Sequence, residues 1–142
     1  MRDRLLLVLL AVMAMAATAC GHDFEPPDRD ARVREAAAAY SPGLFDTIGW
    51  SSDSIRATEG NQVYAEECRR CHGALGQGGT PYAAERDLDV PSLVEPDWPL
   101  AALDSLHRHV FIGHAEGMPG FGVAGITPRD IDSSAYYILY VL

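Results

Sequence analysis

The stretch Cys68-Arg69-Arg70-Cys71-His72 decides the reading of this chain. Two thiols separated by two residues, with a histidine directly after the second, form the pattern of covalent c-type haem attachment. Positions three apart on a helical turn share a face, so both sulfurs can reach the two vinyl groups of one porphyrin as thioethers. His72 then follows where its imidazole can ligate the iron from the proximal side. A Cys-x-x-Cys pair alone would also fit a thioredoxin-type redox disulfide or half of a zinc site. A zinc site needs two more ligands at motif spacing, and the chain has no second cysteine pair. A thioredoxin-like motif wants a βαβ context that the flanking sequence does not offer.

Working outward, the N-terminus reads as a leader. Met1-Arg2-Asp3-Arg4 is a short basic start, and Leu5 to Ala19 is an unbroken apolar run of 15 residues ending in small side chains. That is the pattern of a secretory signal peptide over residues 1–19. The run is shorter than the roughly 20 residues that cross a bilayer, which disfavours a permanent transmembrane helix. Ala17-Thr18-Ala19-Cys20 resembles a bacterial lipobox, in which Cys20 is lipidated and becomes the mature N-terminus. Ordinary cleavage with a free Cys20 is the alternative. With three cysteines and two claimed by haem, lipidation removes the odd thiol that remains. Two acyl chains anchor stably where one does not.

The formal net charge is −9, and all eleven basic residues are arginine. Loss of residues 1–19 removes Arg2, Arg4 and Asp3, and moves the charge from −9 to −10. So acidic a chain is a poor nucleic-acid binder, and electrostatic steering favours a basic partner patch.

Residues 20–55 read as a lipid-anchored tether or linker, with an extended Glu25-Pro26-Pro27-Asp28 start. Asp30 to Tyr40 predicts a short helix closed by Ser41-Pro42-Gly43. Phe45, Ile48 and Trp50 follow, with nothing in the sequence to say whether they pack. Fully flexible, this segment would span roughly 30–35 Å. Residues 56–142 then form one small domain of modest core, for which a large apolar haem would serve as the centre. Thr58 is the expected cap of a helix running through Tyr64 into the Cys68–His72 turn and closed by Gly73. Asp97-Trp98-Pro99 opens a second, carrying Leu100, Leu103, Leu106, Val110 and Phe111 and stopped by Gly113. Thr127-Pro128-Arg129-Asp130 opens a third, with Ile131, Tyr136, Ile138 and Leu139. Between the first two lies a Gly- and Pro-rich loop from Gly76 to Pro96. No alternating strand pattern appears.

The leader aside, the chain contains one methionine, Met118, set in Gly117-Met118-Pro119-Gly120-Phe121-Gly122. A core-filling methionine sits on a periodic pattern. One held by a glycine-rich turn downstream of a haem motif reads as the second axial ligand. His107, His109 and His114 are the rivals, with His107 and His114 near the apolar face of the second helix. They read as surface or neighbouring residues, and His22 as irrelevant.

From about Thr58 to the end, the chain resembles a class I cytochrome c. Gly60 and Tyr64 resemble the glycine and aromatic by which that family's N-terminal helix crosses its last one. Met118-Pro119 resembles its axial methionine loop, and Tyr136 or Tyr137 its C-terminal helix aromatic. The resemblance implies an all-α fold of three or more helices around one covalent haem c, with Cys68, Cys71, His72 and Met118 binding the cofactor and His72 and Met118 ligating iron. It also implies a backbone carbonyl at a proline for the other nitrogen of His72, with Pro81 the first candidate and Pro91 the second. An aromatic against the haem propionates would be Trp98 or Tyr82, with Arg86 beside it. Mitochondrial members dock through lysine, and this chain has none.

The function expected is electron transfer on haem iron cycling between Fe(II) and Fe(III), with no catalytic residue. Partners would be membrane redox complexes as donor and acceptor, the chain serving as a tethered carrier or as a relay subunit of a larger membrane complex. The location would be the extracytoplasmic side of a bacterial cell envelope. A haem enzyme or a gas or peroxide sensor with an open sixth position is the alternative.

Overall fold

The computed structural model describes residues 28–95 and 102–142. The leader, Cys20, His22 and the Asp97-Trp98-Pro99 helix start lie outside the described residues. Among those described, every regular element is helical, so the fold is all-α as expected. Helix α1 spans Arg29–Ala39, capped by Asp28, whose side chain accepts from the Ala31 N–H at 3.2 Å. A 3-10 turn at Pro42–Leu44 follows. Helix α2 (Asp53–Val63) continues through a π-helical turn, Tyr64–Cys68, into α3 (Arg69–His72). A short α4 (Pro81–Ala84) lies in the loop expected to be irregular. Helix α5 (Leu103–Ile112), a 3-10 turn (Phe121–Val123) and α6 (Pro128–Tyr140) complete the chain.

The cap of α2 is Ser52, not Thr58. The Ser52 hydroxyl accepts from the Ile55 N–H at 3.2 Å, so the helix begins a turn and a half earlier than expected. Thr58 lies inside it and donates to the Ser54 carbonyl at 2.8 Å, the usual use of a mid-helix hydroxyl. The stop of α5 at Gly113 and the start of α6 at Thr127 agree with the sequence reading. Thr127 and Asp130 form a reciprocal capping box.

Helices α2 and α6 cross in the most extensive pairing of the fold. A Cβ at Gly60 would lie 2.0 Å from the Ser133 carbonyl oxygen, so only glycine admits the crossing. Tyr64, 1% exposed, packs its ring against Tyr137 at 5.5 Å and donates its hydroxyl to the Gly73 carbonyl at 2.7 Å. Of the two candidate C-terminal aromatics it is therefore Tyr137 that meets the first helix. Tyr136 takes the Arg56 guanidinium over its ring instead, at 4.5 Å.

From Asp28 onward, the segment read as a tether, whose packing the sequence left open, packs against the domain. Ala36 of α1 is fully buried in one cluster with Phe111, Phe121 and Ile131. Phe45 stacks on His107, with ring centroids 4.0 Å apart and 9° between planes. Trp50 Nε1 donates to Asp132 at 2.7 Å, and Arg56 and His107 bind the same carboxylate at 2.5 and 3.0 Å. Burial pushes the Asp132 pKa up, but hydrogen bonds from His107, Trp50 and Arg56 outweigh it and hold the carboxyl below its usual range. The alanine run gave a helix without an obvious face; the buried small residue Ala36 supplies one.

Candidate haem site

The π turn and α3 deliver Cys68, Cys71 and His72, and Gly73 ends the helix at φ 82° with its N–H on the Arg69 carbonyl. π turns concentrate at functional sites because they re-aim side chains within a helix. Met118 arrives from the other direction. Helix α5 ends at Gly113 with φ 68°, and the chain doubles back so that His114 and Met118 form an isolated antiparallel bridge. The His114 N–H donates to the Met118 carbonyl at 2.9 Å. A Cβ on Gly113 would stand 2.5 Å from the Met118 and Pro119 carbonyls, so the loop is seated directly on the helix end.

Between these two deliveries lies a partly open, mostly apolar cleft. Cys68, Cys71 and His72 face it from one side, and Met118, Pro119 and Phe121 from the other. Leu88, Val90 and Pro91 line it from the intervening loop, and of these the sequence reading singled out only Pro91. The cleft opens into a wider groove whose rim carries Arg29 and Arg32 of α1, Arg70, and Arg86. Tyr82 lies on that rim beneath the Arg86 and Arg70 guanidiniums, at 3.8 and 5.0 Å. Trp98 and Cys20 fall outside the described residues.

The chemistry of the donors fits haem c better than the rival uses of two cysteines. Cys68 and Cys71 are unpaired thiols. Burial pushes the Cys68 thiol up to about 12, opposite to the lowered values of redox-active cysteines. Among the described residues no group of three or more His, Cys, Asp or Glu side chains could hold a bare metal ion, so a zinc centre gains no support. Burial also lowers the His72 pKa, which favours the neutral imidazole an iron ligand must be. The Pro91 carbonyl acts in the opposite sense on that ring, as a near contact, since the buried Nδ1 lacks a partner in hydrogen-bond geometry. Pro91 is thus the backbone group beside His72, while the first candidate, Pro81, spends its carbonyl on the Glu85 N–H at 2.9 Å inside α4.

The three rival histidines separate. His107, read as a surface or neighbouring residue, is 4% exposed and held by Asp132 and Phe45 away from the cleft. His109 sits ring to ring with His114 at 5.5 Å. His114 alone of the three lines the cleft.

With that geometry in place, the family model described as cytochrome c oxidase, cbb3-type, subunit III matches residues 55–138, more than half of the chain. The chain belongs to this family. It is a c-type cytochrome, and the family's haem c is covalently bound. A relative, the cbb3-type cytochrome c oxidase subunit CcoP of Rubrivivax gelatinosus, is 28% identical over 81 residues. Those residues cover 56% of this chain and 24% of that protein, so the match spans about a quarter of the relative's length. No solved structure matches the chain. The matched region of this cytochrome begins at residue 55 and contains the cysteine motif and Met118. Helix α1, Phe45 and Trp50 precede it.

The residues that sequence reasoning missed are those whose partners are distant. Asp132, Arg56, Trp50 and Phe45 form one partly buried assembly, and the only local signal was an aspartate set beside the core residue Ile131.

Proposed function

We propose that this cytochrome carries one electron at a time on a single haem c, attached through Cys68 and Cys71 and ligated by His72 and Met118. The observation that carries the reading is the cleft itself: the only methionine outside the leader and the cysteine–histidine motif come from separate elements to line one apolar space. The haem supplies the one-electron iron couple. His72 enters as a neutral, buried imidazole, with the Pro91 carbonyl beside it to orient the ring. Met118 offers a soft thioether, which favours the reduced metal and raises the potential relative to a second imidazole. Gly113 fixes the height of that thioether by seating the loop on α5. Phe121, Leu88 and Val90 present apolar surface to the cleft, which would leave little around the haem to reorganise when its charge changes. With His72 and Met118 both holding the iron, no place would remain on the metal for a substrate.

The similarity to a cbb3-type oxidase subunit supports a place in a respiratory chain as a relay subunit of a membrane complex, or as a carrier tethered beside one. Among the described residues no helix is long and apolar enough to cross a membrane. Attachment would then come through the lipidated Cys20, which would confine the cytochrome near its donor and acceptor. The oxidised full-length protein is expected to show the weak long-wavelength absorption band of sulfur–iron bonding, and to retain one haem by intact mass after acid extraction. Met118→Ala should abolish the band and lower the potential. Haem lost to the solvent phase, or a band that survives Met118→Ala, would sink the reading.

A further inference from the structure

His114 is built into the same cleft as Met118, yet its ring nitrogen Nδ1 has no hydrogen-bond partner there. The two residues oppose each other in an antiparallel bridge. Directly opposed residues send their side chains to the same face, with Cβ atoms about 4.5–5.5 Å apart. Both side chains line the haem cleft. Nδ1 of His114 is sealed from solvent without a hydrogen-bond partner, the Glu116 carboxylate standing off at 3.9 Å. A buried polar nitrogen left unpaired is costly and in native proteins calls for an explanation. His107 shows the contrast: its Nε2 is committed to Asp132 at 3.0 Å, and its ring to Phe45.

Resting on the His72/Met118 reading above, we infer that His114 is a second distal iron ligand, held beside Met118 and taken up when the methionine leaves. In that exchange the iron–sulfur bond breaks and an iron–nitrogen bond forms. Thioether and neutral imidazole are both uncharged donors, so neither an electron nor a proton need move. The five residues from His114 to Met118 form one tight turn on the end of α5, so the swap asks only for local adjustment. Loss of the methionine then gives a closed, lower-potential bis-imidazole cytochrome. It does not give an open haem available to small ligands.

The test uses the full-length haem protein with Met118→Leu, which keeps the apolar volume of the loop, and with Met118→Ala in parallel. Each is paired with His114→Ala and, as a control, with His109→Ala. Both methionine variants are expected to stay low-spin and six-coordinate by electron paramagnetic resonance. Their reduced forms should bind carbon monoxide about ten-fold or more slowly than the His114→Ala doubles, a factor equivalent to ~1.4 kcal/mol. The doubles should turn high-spin, and the His109→Ala doubles should not. Methionine variants that are already high-spin, or that stay low-spin after His114→Ala, overturn the inference. The long-wavelength band in the parent protein reads the Met118 assignment separately. A parent that lacks it, and whose iron opens on His114→Ala alone, would overturn both that assignment and the reserve role of His114.

Discussion

Two adjacent residues of α6 face two differently built regions. Ser133 meets α2, where its carbonyl lies so close to Gly60 that a Cβ would fall 2.0 Å away. Asp132 faces the other way, where Trp50 from before the family match converges on its carboxylate with Arg56 and His107 from within it. The first contact is made backbone to backbone and rests on one missing methyl group. The second is made between side chains up to 82 residues apart and rests on charge. A helix crossing of the first kind tolerates almost no substitution at one position but needs no partner network. A buried carboxylate of the second kind depends on every donor around it, because the loss of one leaves the others unpaired in a medium that penalises charge. The α2–α6 crossing is thus set by steric fit, while the segment from α1 to Trp50 is bound on by the Trp50–Asp132 hydrogen bond, by Phe45 stacked on His107 and by Ala36.

Breaking the polar side should have the largest effect. Asp132→Ala strands Arg56 and His107, and is expected to cost about 3–5 kcal/mol in denaturant unfolding. A loss below ~1 kcal/mol would mean that the network is ornamental. Gly60→Ala attacks the steric side and should cost about 1–3 kcal/mol as overpacking, with the tyrosine pair Tyr64–Tyr137 forced apart. If Gly60→Ala proves nearly neutral, the α2–α6 crossing is looser than its geometry. Trp50→Phe keeps the ring but removes the donor to Asp132, and should cost roughly 1–1.5 kcal/mol. Thr127→Ala removes the hydroxyl half of the α6 capping box for about 1 kcal/mol, equally for both regions.

Acid sharpens the same comparison. The Asp132 pKa is lowered in the folded protein from its usual 3.8. A lowered folded pKa contributes stability that is present above the unfolded value and lost as pH falls through the folded one. Stability contributed by the network should therefore hold to about pH 5 and decline below about pH 4. Asp132→Asn should flatten that decline, whereas Gly60→Ala should shift the whole profile down without changing its shape.

The sequence alone determined the Cys-x-x-Cys-His turn, the all-helical class, the helix stops at Gly73 and Gly113, the Thr127 cap and the turn that holds Met118. Each of these is a local code: a spacing, a positive-φ glycine or a cap is legible within a few residues because its physics is completed within a few residues. The choice of Ser52 over Thr58 as the cap of α2 was less legible, since both are hydroxyl residues near the start of the same pattern. Only the tertiary structure decided that the segment from Asp28 packs, that Pro91 and not Pro81 stands beside His72, that Tyr137 and not Tyr136 meets Tyr64, and that His107 turns to Asp132 while His114 turns to the cleft. Those outcomes depend on which distant groups are brought within reach. A buried carboxylate or an unpaired imidazole acquires its meaning only from neighbours that the chain order does not place beside it.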